Sequence, residues 1–413
     1  MLLPIKGNPL FFLRKNGDVI NMRKCLLFAM LLLFIPSTIL FIALFSGSVL
    51  ASDVVADSWN AMAPMNQARG HLGVVAVDGK IYAIGGSLVF GANSESNYMD
   101  ANECYDPKSN TWATLTSMPT PRQGFAIAAC NGKIYCIGGY GYNEGGGSLA
   151  SLSVVNEVYD IVADSWSTKA SLPVSKGGLH AQVVDGKIFV LVEVDSTLFM
   201  YDPVTDLWTK KTNIPYSGSH LVSALADGKI IVTGKFYNSD SVMSYDQKVL
   251  IYTPGTDTWS EGKTRSAILW YDIVAGASTG LYAPQKVYVF LDGGVATGTF
   301  VYDPAGDVWS DAKAMSTGRS YSGVGVVDDV FYVIGGFAVT GNAPLAVNEQ
   351  YVPIGYRGTI SSDSVSPTFS DSDVADYPAD NLVLVGALIG AVIAIVVAGA
   401  LLLFFKNKGN KYG

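Results

Sequence analysis

A chain of 413 residues with 44 Gly, 22 Tyr, 18 Phe and only 15% charged residues suits many short strands joined by tight turns better than packed helices. Net charge is −8 but the two ends are basic; setting aside their 8 bases and 1 acid leaves 19 bases against 34 acids, a net of −15 over residues 52–405. So acidic a surface repels phosphate backbones, which argues against nucleic acid as a partner and leaves basic protein patches, cations and neutral glycans.

The first element is the apolar run 25–45, which follows Met22, Arg23 and Lys24. It leads into SGSVLASD, where Val49 and Ala51 fit the small-residue rule for cleavage after Ala51. Its 21 residues exceed the ~7–15 of an ordinary signal core, so residues 1–51 read either as a cleaved signal peptide starting at Met22 or as an uncleaved N-terminal anchor.

From residue 52 to 358 the chain repeats itself. DGKIYAIGG (78–86) recurs as NGKIYCIGG (131–139), DGKIFVLVE (185–193), DGKIIVTGK (227–235), KVYVFLDGG (286–294) and DDVFYVIGG (328–336). Asp-Gly and Asn-Gly favour the positive φ of two-residue hairpins, so each copy reads as two antiparallel strands around a tight turn. Cys130 then faces Lys133 and Cys136 faces Ile127, and with Cys104 the three read as packing residues and not as a disulfide framework. A second motif trails each copy: NECYDPKSNTW to Trp112, NEVYDIVADSW to Trp166, MYDPVTDLW to Trp208, IYTPGTDTW to Trp259 and VYDPAGDVW to Trp309. The sixth, NEQYVP, has no Trp after it, whereas VADSW at the start supplies Trp59 and repeats the VADSW that ends at Trp166. The N-terminal strand therefore completes the last unit.

Residues 359–381 are rich in Ser, Asp and Pro and read as a flexible stalk. The 24 uncharged residues 382–405 are long enough for a transmembrane helix. Lys406, Lys408 and Lys411 follow it, so the positive-inside rule puts the short tail 406–413 in the cytoplasm and the repeats outside it, on a cell membrane crossed once. Gly386 and Gly390 form a G-x-x-x-G that could support weak homodimerisation.

The two motifs, at Trp spacings of 53, 54, 42, 51 and 50 residues, closely resemble the Kelch repeat over residues 52–353. The resemblance implies an all-β, six-bladed Kelch-type β-propeller closed by an N-terminal strand. It also implies structural roles for Gly85, Gly86, Gly138, Gly139, Gly335 and Gly336, for Tyr105 and Tyr159, and for Trp59, Trp112, Trp166, Trp208, Trp259 and Trp309. Arg69, Arg122, Arg265 and Arg319 resemble the family's blade arginine and should brace neighbouring backbone. Blades three and four depart from the pattern, with Val192-Glu193 and Gly234-Lys235 in place of the Gly doublet, and blade five carries an insertion around STGLYAPQ.

Propellers hold ligands at the mouth of the central channel. Two residues beyond each arginine slot stand His71, Gly124, Gly178, His220, Ala267 and Tyr321. The loops leaving each doublet add Phe90, Tyr98, Tyr140, Tyr142, Phe236 and Tyr237, with Asn143 and Glu144 beside them. From these, His71, His220, Tyr321, Tyr140, Tyr142 and Asn143 form the candidate binding set. Aromatic and amide side chains on such loops suit peptides or sugars and equally suit a wet loop that binds nothing. Only three His exist, no metal-ligand spacing occurs, and no GxSxG elbow, zincin motif or phosphate loop is found. No metal, cofactor or catalytic residue is therefore expected. The leading expectation is a non-enzymatic, surface-displayed recognition module for a protein or glycan. The alternatives are a membrane-anchored sugar isomerase or mutarotase, for which Glu193 and Lys235 are the irregular candidates and two carboxylates with an Arg in the channel the requirement, and a structural cell-envelope protein.

Overall fold

The computed structural model describes residues 55–91, 97–141, 151–193, 195–238, 241–265, 273–291 and 297–360, with a short backbone hairpin of Phe12–Lys15 on Asp18–Asn21. The apolar runs 25–45 and 382–405, Gly386, Gly390 and nearly all of the Ser/Asp/Pro-rich stretch lie outside the described residues. Among the described residues no helix is long and apolar enough to cross a membrane.

Everything else is built on hairpins. Asp78-Gly79 adopts φ of 51° and 73°, Asn131-Gly132 of 52° and 69°, and Asp185-Gly186 of 49° and 70°, the double left-handed turn that matches strand twist. The turn fixes register, placing Val77 opposite Lys80, Cys130 opposite Lys133 and Cys136 opposite Ile127. Cys104, Cys130 and Cys136 are buried, unbridged packing residues. In the sixth unit Asp328-Asp329 makes the same turn without glycine.

Each hairpin gains a third and a fourth strand, giving six four-stranded antiparallel sheets. Blade one is Gly73–Val77, Lys80–Ile84, Asn102–Asp106 and Thr111–Thr114. Blade six is Gly323–Val327, Val330–Ile334, Asn348–Val352 and, from the other end of the chain, Ser58–Met62, with Trp59 opposite Tyr351. First strands touch in turn around the ring and the sixth returns to the first. The core is correspondingly divided into slabs between blades: Ile134 and Cys136 of blade two pack on Tyr82 and Ile84 of blade one, and Tyr332 and Ile334 of blade six pack on Ile81 and Tyr105.

Two polar devices fix each blade to the next. At the rim, the indole N–H of each motif tryptophan (Trp59, Trp112, Trp166, Trp208, Trp259 and Trp309) donates to a backbone carbonyl of the preceding blade, to Lys313, Ala63, Thr116, Ala170, Thr212 and Lys263 in turn, at 2.7–3.0 Å. The N–H of that same residue donates to Asp57, Asn110, Asp164, Asp206, Asp257 or Asp307, at 2.6–3.0 Å. This acceptor sits at φ between 44° and 58° and also receives the motif tyrosine's hydroxyl, at 2.6–2.9 Å. Asp and Asn tolerate that backbone better than other side chains, which explains the Asx two residues before each Trp. The Tyr159 hydroxyl and Thr116 amide hold Asp164 below the usual carboxylate range.

Nearer the axis, fully buried arginines brace three blades. Arg69, Arg122 and Arg319 donate to the carbonyls of Ala83, Cys136 and Val333 at 2.8–2.9 Å, and pair with Glu103, Glu157 and Glu349 of the third strand. Blades three, four and five carry Phe199, Leu250 and Phe300 at the glutamate's register position. Arg265 accordingly departs from the expected backbone brace: its guanidinium lies 4.1 Å from the Phe300 ring centroid and pairs with Asp311 at 2.6 Å.

The insertion in blade five folds back on the blade-six turn. Buried Asp329 accepts from the amides of Thr279, Tyr282 and Ala283 and from the Thr279 hydroxyl, at 2.5–2.9 Å. Burial raises its carboxyl, but these donors outweigh that effect and leave it below the usual range.

Two stability outcomes follow. Asp57→Ala strands the Lys313 N–H and the Tyr351 hydroxyl at the only seam closed by hydrogen bonds instead of chain, and should lower unfolding stability by about 1–3 kcal/mol, whereas Asp57→Asn, which reproduces Asn110, should be close to neutral. Denaturant midpoints of the two variants check this. Arg319→Leu alone leaves Glu349 buried without its partner and should cost about 3–5 kcal/mol, while the double change Arg319→Leu/Glu349→Phe, which puts at the glutamate's position the ring that blades three and five carry there, should recover much of the loss in the same assay.

Candidate functional site

The six first strands enclose a channel of about 790 Å³. Because strands alternate in direction, the connections from second to third strands and those entering each first strand share one end of it, and the hairpin turns collect at the other. The first of these ends is the mouth.

The positions counted two residues beyond the arginine slot are equivalent in backbone as well as in sequence. His71, Gly124, Gly178, His220 and Tyr321 have φ of 54°, 59°, 65°, 53° and 56°, and all five line the channel; Ala267 lies outside the described residues. The His71 amide donates to the Tyr321 carbonyl at 2.9 Å and the Gly124 amide to the His71 carbonyl at 3.1 Å, so the turns are threaded blade to blade. Glycine takes this conformation freely, whereas a histidine or tyrosine costs about 1–2 kcal/mol. Three rings are thus held at the mouth against the backbone's preference, a pattern associated with functional sites.

One side of the mouth is aromatic. The His71 and Tyr321 rings lie 3.8 Å apart, and Phe90 packs 5.5 Å from Tyr321 and 5.8 Å from buried Phe337. Burial lowers the His71 imidazole to about 4, so at neutral pH it is an uncharged ring. Leu88, Val89 and Phe90 stand 40%, 46% and 40% exposed beside it.

The other side is polar. Glu193 replaces the second glycine of the doublet, and its carboxylate Oε1 accepts from the Leu221 amide of blade four at 2.6 Å and meets His180 Nε2 at 3.3 Å. Tyr140 and the Glu193 carboxylate converge on one dipeptide: a Cβ at Gly177 would fall 2.1 Å from the Tyr140 ring, and one at Gly178 would fall 2.9 Å from Glu193 Oε2. His220 Nδ1 meets Ser219 Oγ at 3.2 Å.

Some expected mouth residues are elsewhere. Phe236 is fully buried between blades three and four, Tyr98 is 7% exposed, and Lys235 is 8% exposed and outside the channel lining; the second strand of blade four runs on through Lys235 and Phe236, and a bridge to Ser87 draws Tyr98 inward. Tyr142, Asn143 and Glu144 lie outside the described residues. His180 was not legible as a mouth residue, since nothing in its motif marks which face of the first strand it occupies. The glutamates of NECYD, NEVYD and NEQYV were visible as a repeated letter but not as partners of the arginines. Among the described residues no group of three or more His, Cys, Asp or Glu could hold a metal ion.

Comparison with known proteins agrees with this architecture. The Kelch motif model matches residues 68–119 and 121–173. Kelch-like protein 15 of Danio rerio is 26% identical over 58% of this chain and 34% of its own length. Alpha-scruin of Limulus polyphemus is 33% identical over 32% of this chain and 14% of its own. The chain spans about a third or less of the length of these curated relatives. The solved structure of YjhT superposes with a TM-score of 0.55 at 15% identity, over 70% of this chain and 95% of that one, a likeness of fold. Two of the six copies of the hairpin and Tyr–Trp motif are matched by the Kelch motif model, and all six close into one six-bladed ring through the first strand of the repeat region, so the chain is a Kelch-repeat protein.

Proposed function

We propose that the propeller is a protein-recognition module that engages its partner at the channel mouth. The observation that carries this reading is the aromatic and apolar lip of His71, Tyr321, Phe90, Leu88 and Val89, which leaves large apolar groups in water beside two ring-bearing residues, His71 and Tyr321, that hold left-handed backbone. Exposed aromatic rings on a rigid frame are the usual anchors of protein interfaces. A sugar isomerase is less well supported, because among the described residues the channel lining offers one carboxylate, Glu193, and no arginine. The apolar run 382–405 would tether the module to a membrane, with the basic tail on the cytoplasmic side.

Selection of a displayed random-peptide library on the full-length chain in detergent tests the reading. Recovered peptides should bind about tenfold or more weakly to Phe90→Ser and to Tyr321→Asn, the latter chosen because asparagine accepts the φ of 56°. Denaturant midpoints of both variants should stay close to the parent's. Peptides indifferent to both changes, or turnover of a sugar in a mutarotation assay, would overturn it.

A further inference from the structure

We infer that the polar half of the mouth, between Tyr140, Glu193 and His180, is a subsite for a cationic side chain, the guanidinium or ammonium of an arginine or lysine on a protein partner. The inference rests on the recognition reading above and names the chemistry it selects.

Three observations converge. The first is the carboxylate. Glu193 stands where the repeat calls for glycine, and only its Oε1 is occupied, by the Leu221 amide and His180; Oε2 takes no hydrogen bond from the described residues and is directed at Gly178. No lysine or arginine lines the channel among the described residues, and the neighbouring Lys176 is already paired with Asp195 at 3.0 Å. The second is the ring. Tyr140 lies against Gly177, next in sequence to the glycine that Glu193 approaches, so an aromatic surface and a carboxylate flank the same two-residue step. A carboxylate beside an aromatic face is the pairing that cations prefer, through ion pairing at one edge and ring-quadrupole attraction at the other. Gly177 is required for it, since any side chain there would displace the ring.

The third is the surrounding charge. The segments joining second to third strands, residues 85–101, 138–155, 193–196, 239–240, 292–297 and 335–347, contain seven acidic residues and no Lys or Arg. The connections that enter the first strands carry bases, of which Arg69, Arg122 and Arg319 are fully buried and paired with glutamates, and Lys176, Lys211 and Arg265 are paired with Asp195, Asp257 and Asp311. The loops leaving the second strands, to which Glu193 belongs, are thus the acidic part of this end of the ring. Apolar contacts at the lip and one charge in the channel would divide the labour as protein interfaces do, with the apolar anchor supplying affinity and the charge supplying selectivity.

All three histidines of the chain, His71, His180 and His220, line the channel, which gives a resident reporter. The probes are three capped tripeptides, acetyl-Gly-Arg-Gly-amide, its lysine counterpart and its citrulline counterpart, the last keeping shape and hydrogen bonding without charge. They are titrated against the full-length chain while the imidazole NMR signals are followed. The arginine and lysine peptides should shift the His180 signal, and citrulline should bind at least tenfold more weakly. Glu193→Gln keeps an acceptor for the Leu221 amide and removes only the charge, and it should weaken the arginine peptide at least tenfold with little change in the unfolding midpoint. Equal binding of citrulline and arginine, an unchanged affinity in Glu193→Gln, or preference for an acidic peptide would overturn the proposal. Should the cationic peptides fail while library peptides still depend on Phe90 and Tyr321, this subsite falls and the recognition reading stands. If nothing engages the mouth, both fall.

Discussion

The ring depends on one repeated contact, the grip of a tryptophan and an Asx residue on the two polar groups of a single residue in the preceding blade. The indole N–H donates to the carbonyl and the Asx oxygen accepts from the amide, so both polar groups of the residue leaving each fourth strand are held from the neighbouring blade. A blade cannot make this contact alone. Its strands can pair without neighbours, but the slab cores, such as the one that places Val158 and Tyr135 against Ile188 and Tyr201, exist only when blades abut. Stability in such an array comes from interfaces between units, and an open ring would expose two of them. The Asp57 and Trp59 contacts at Lys313 are the sixth instance of the same grip, and they convert a linear series into a closed one.

The inner braces vary more freely than the rim, and the reason is energetic. A buried Arg–Glu pair gains little over well-packed apolar side chains of similar volume, so Phe199, Leu250 and Phe300 can stand at the glutamate's position as long as the arginine is absent or otherwise engaged. The rim contact has no such substitute, because an unpaired amide and carbonyl would remain wherever it was lost. That asymmetry leaves blades three to five less regular than the rest, and the polar half of the mouth is built there. Glu193 occupies a glycine position of the repeat and recovers a hydrogen bond between blades through its side chain, to Leu221, beside the backbone bond that its own amide makes to Gly178.

This distribution also sets what could be read without coordinates. Turn chemistry is local, so Asp-Gly and Asn-Gly disclosed strand pairing down to the register of Cys136 on Ile127. Repetition disclosed blade number, and the stray VADSW disclosed the closing strand. Equivalence in the repeat even placed His71, His220 and Tyr321 at one structural position, since the same backbone turn recurs in each blade. Side-chain direction beyond that turn was not legible. Phe236 and Tyr98 follow their doublets as Phe90 and Tyr140 do, yet strand continuation turns Phe236 into the slab between blades, and a bridge to Ser87 draws Tyr98 inward. The partnership of Arg69 with Glu103 crosses 34 residues and has no local signature.

The two ends of the repeat region meet away from the mouth. Ser58 opens the closing strand opposite Val352, where the third strand of blade six finishes, and both lie at the end of the blade that carries the Asp328-Asp329 turn. The segment that follows is held there: the Arg357 amide donates to the Tyr282 carbonyl at 2.7 Å, Tyr356 packs on Tyr282, and Tyr282 belongs to the insertion fastened by Asp329. The insertion in blade five thus has a physical role, since a short turn at that place could reach neither Asp329 nor Tyr356. Within the described residues, the first strand to enter the ring and the segment that leaves it, residues 353–360, both lie on the turn side, opposite the mouth with its lip of Leu88, Val89 and Phe90.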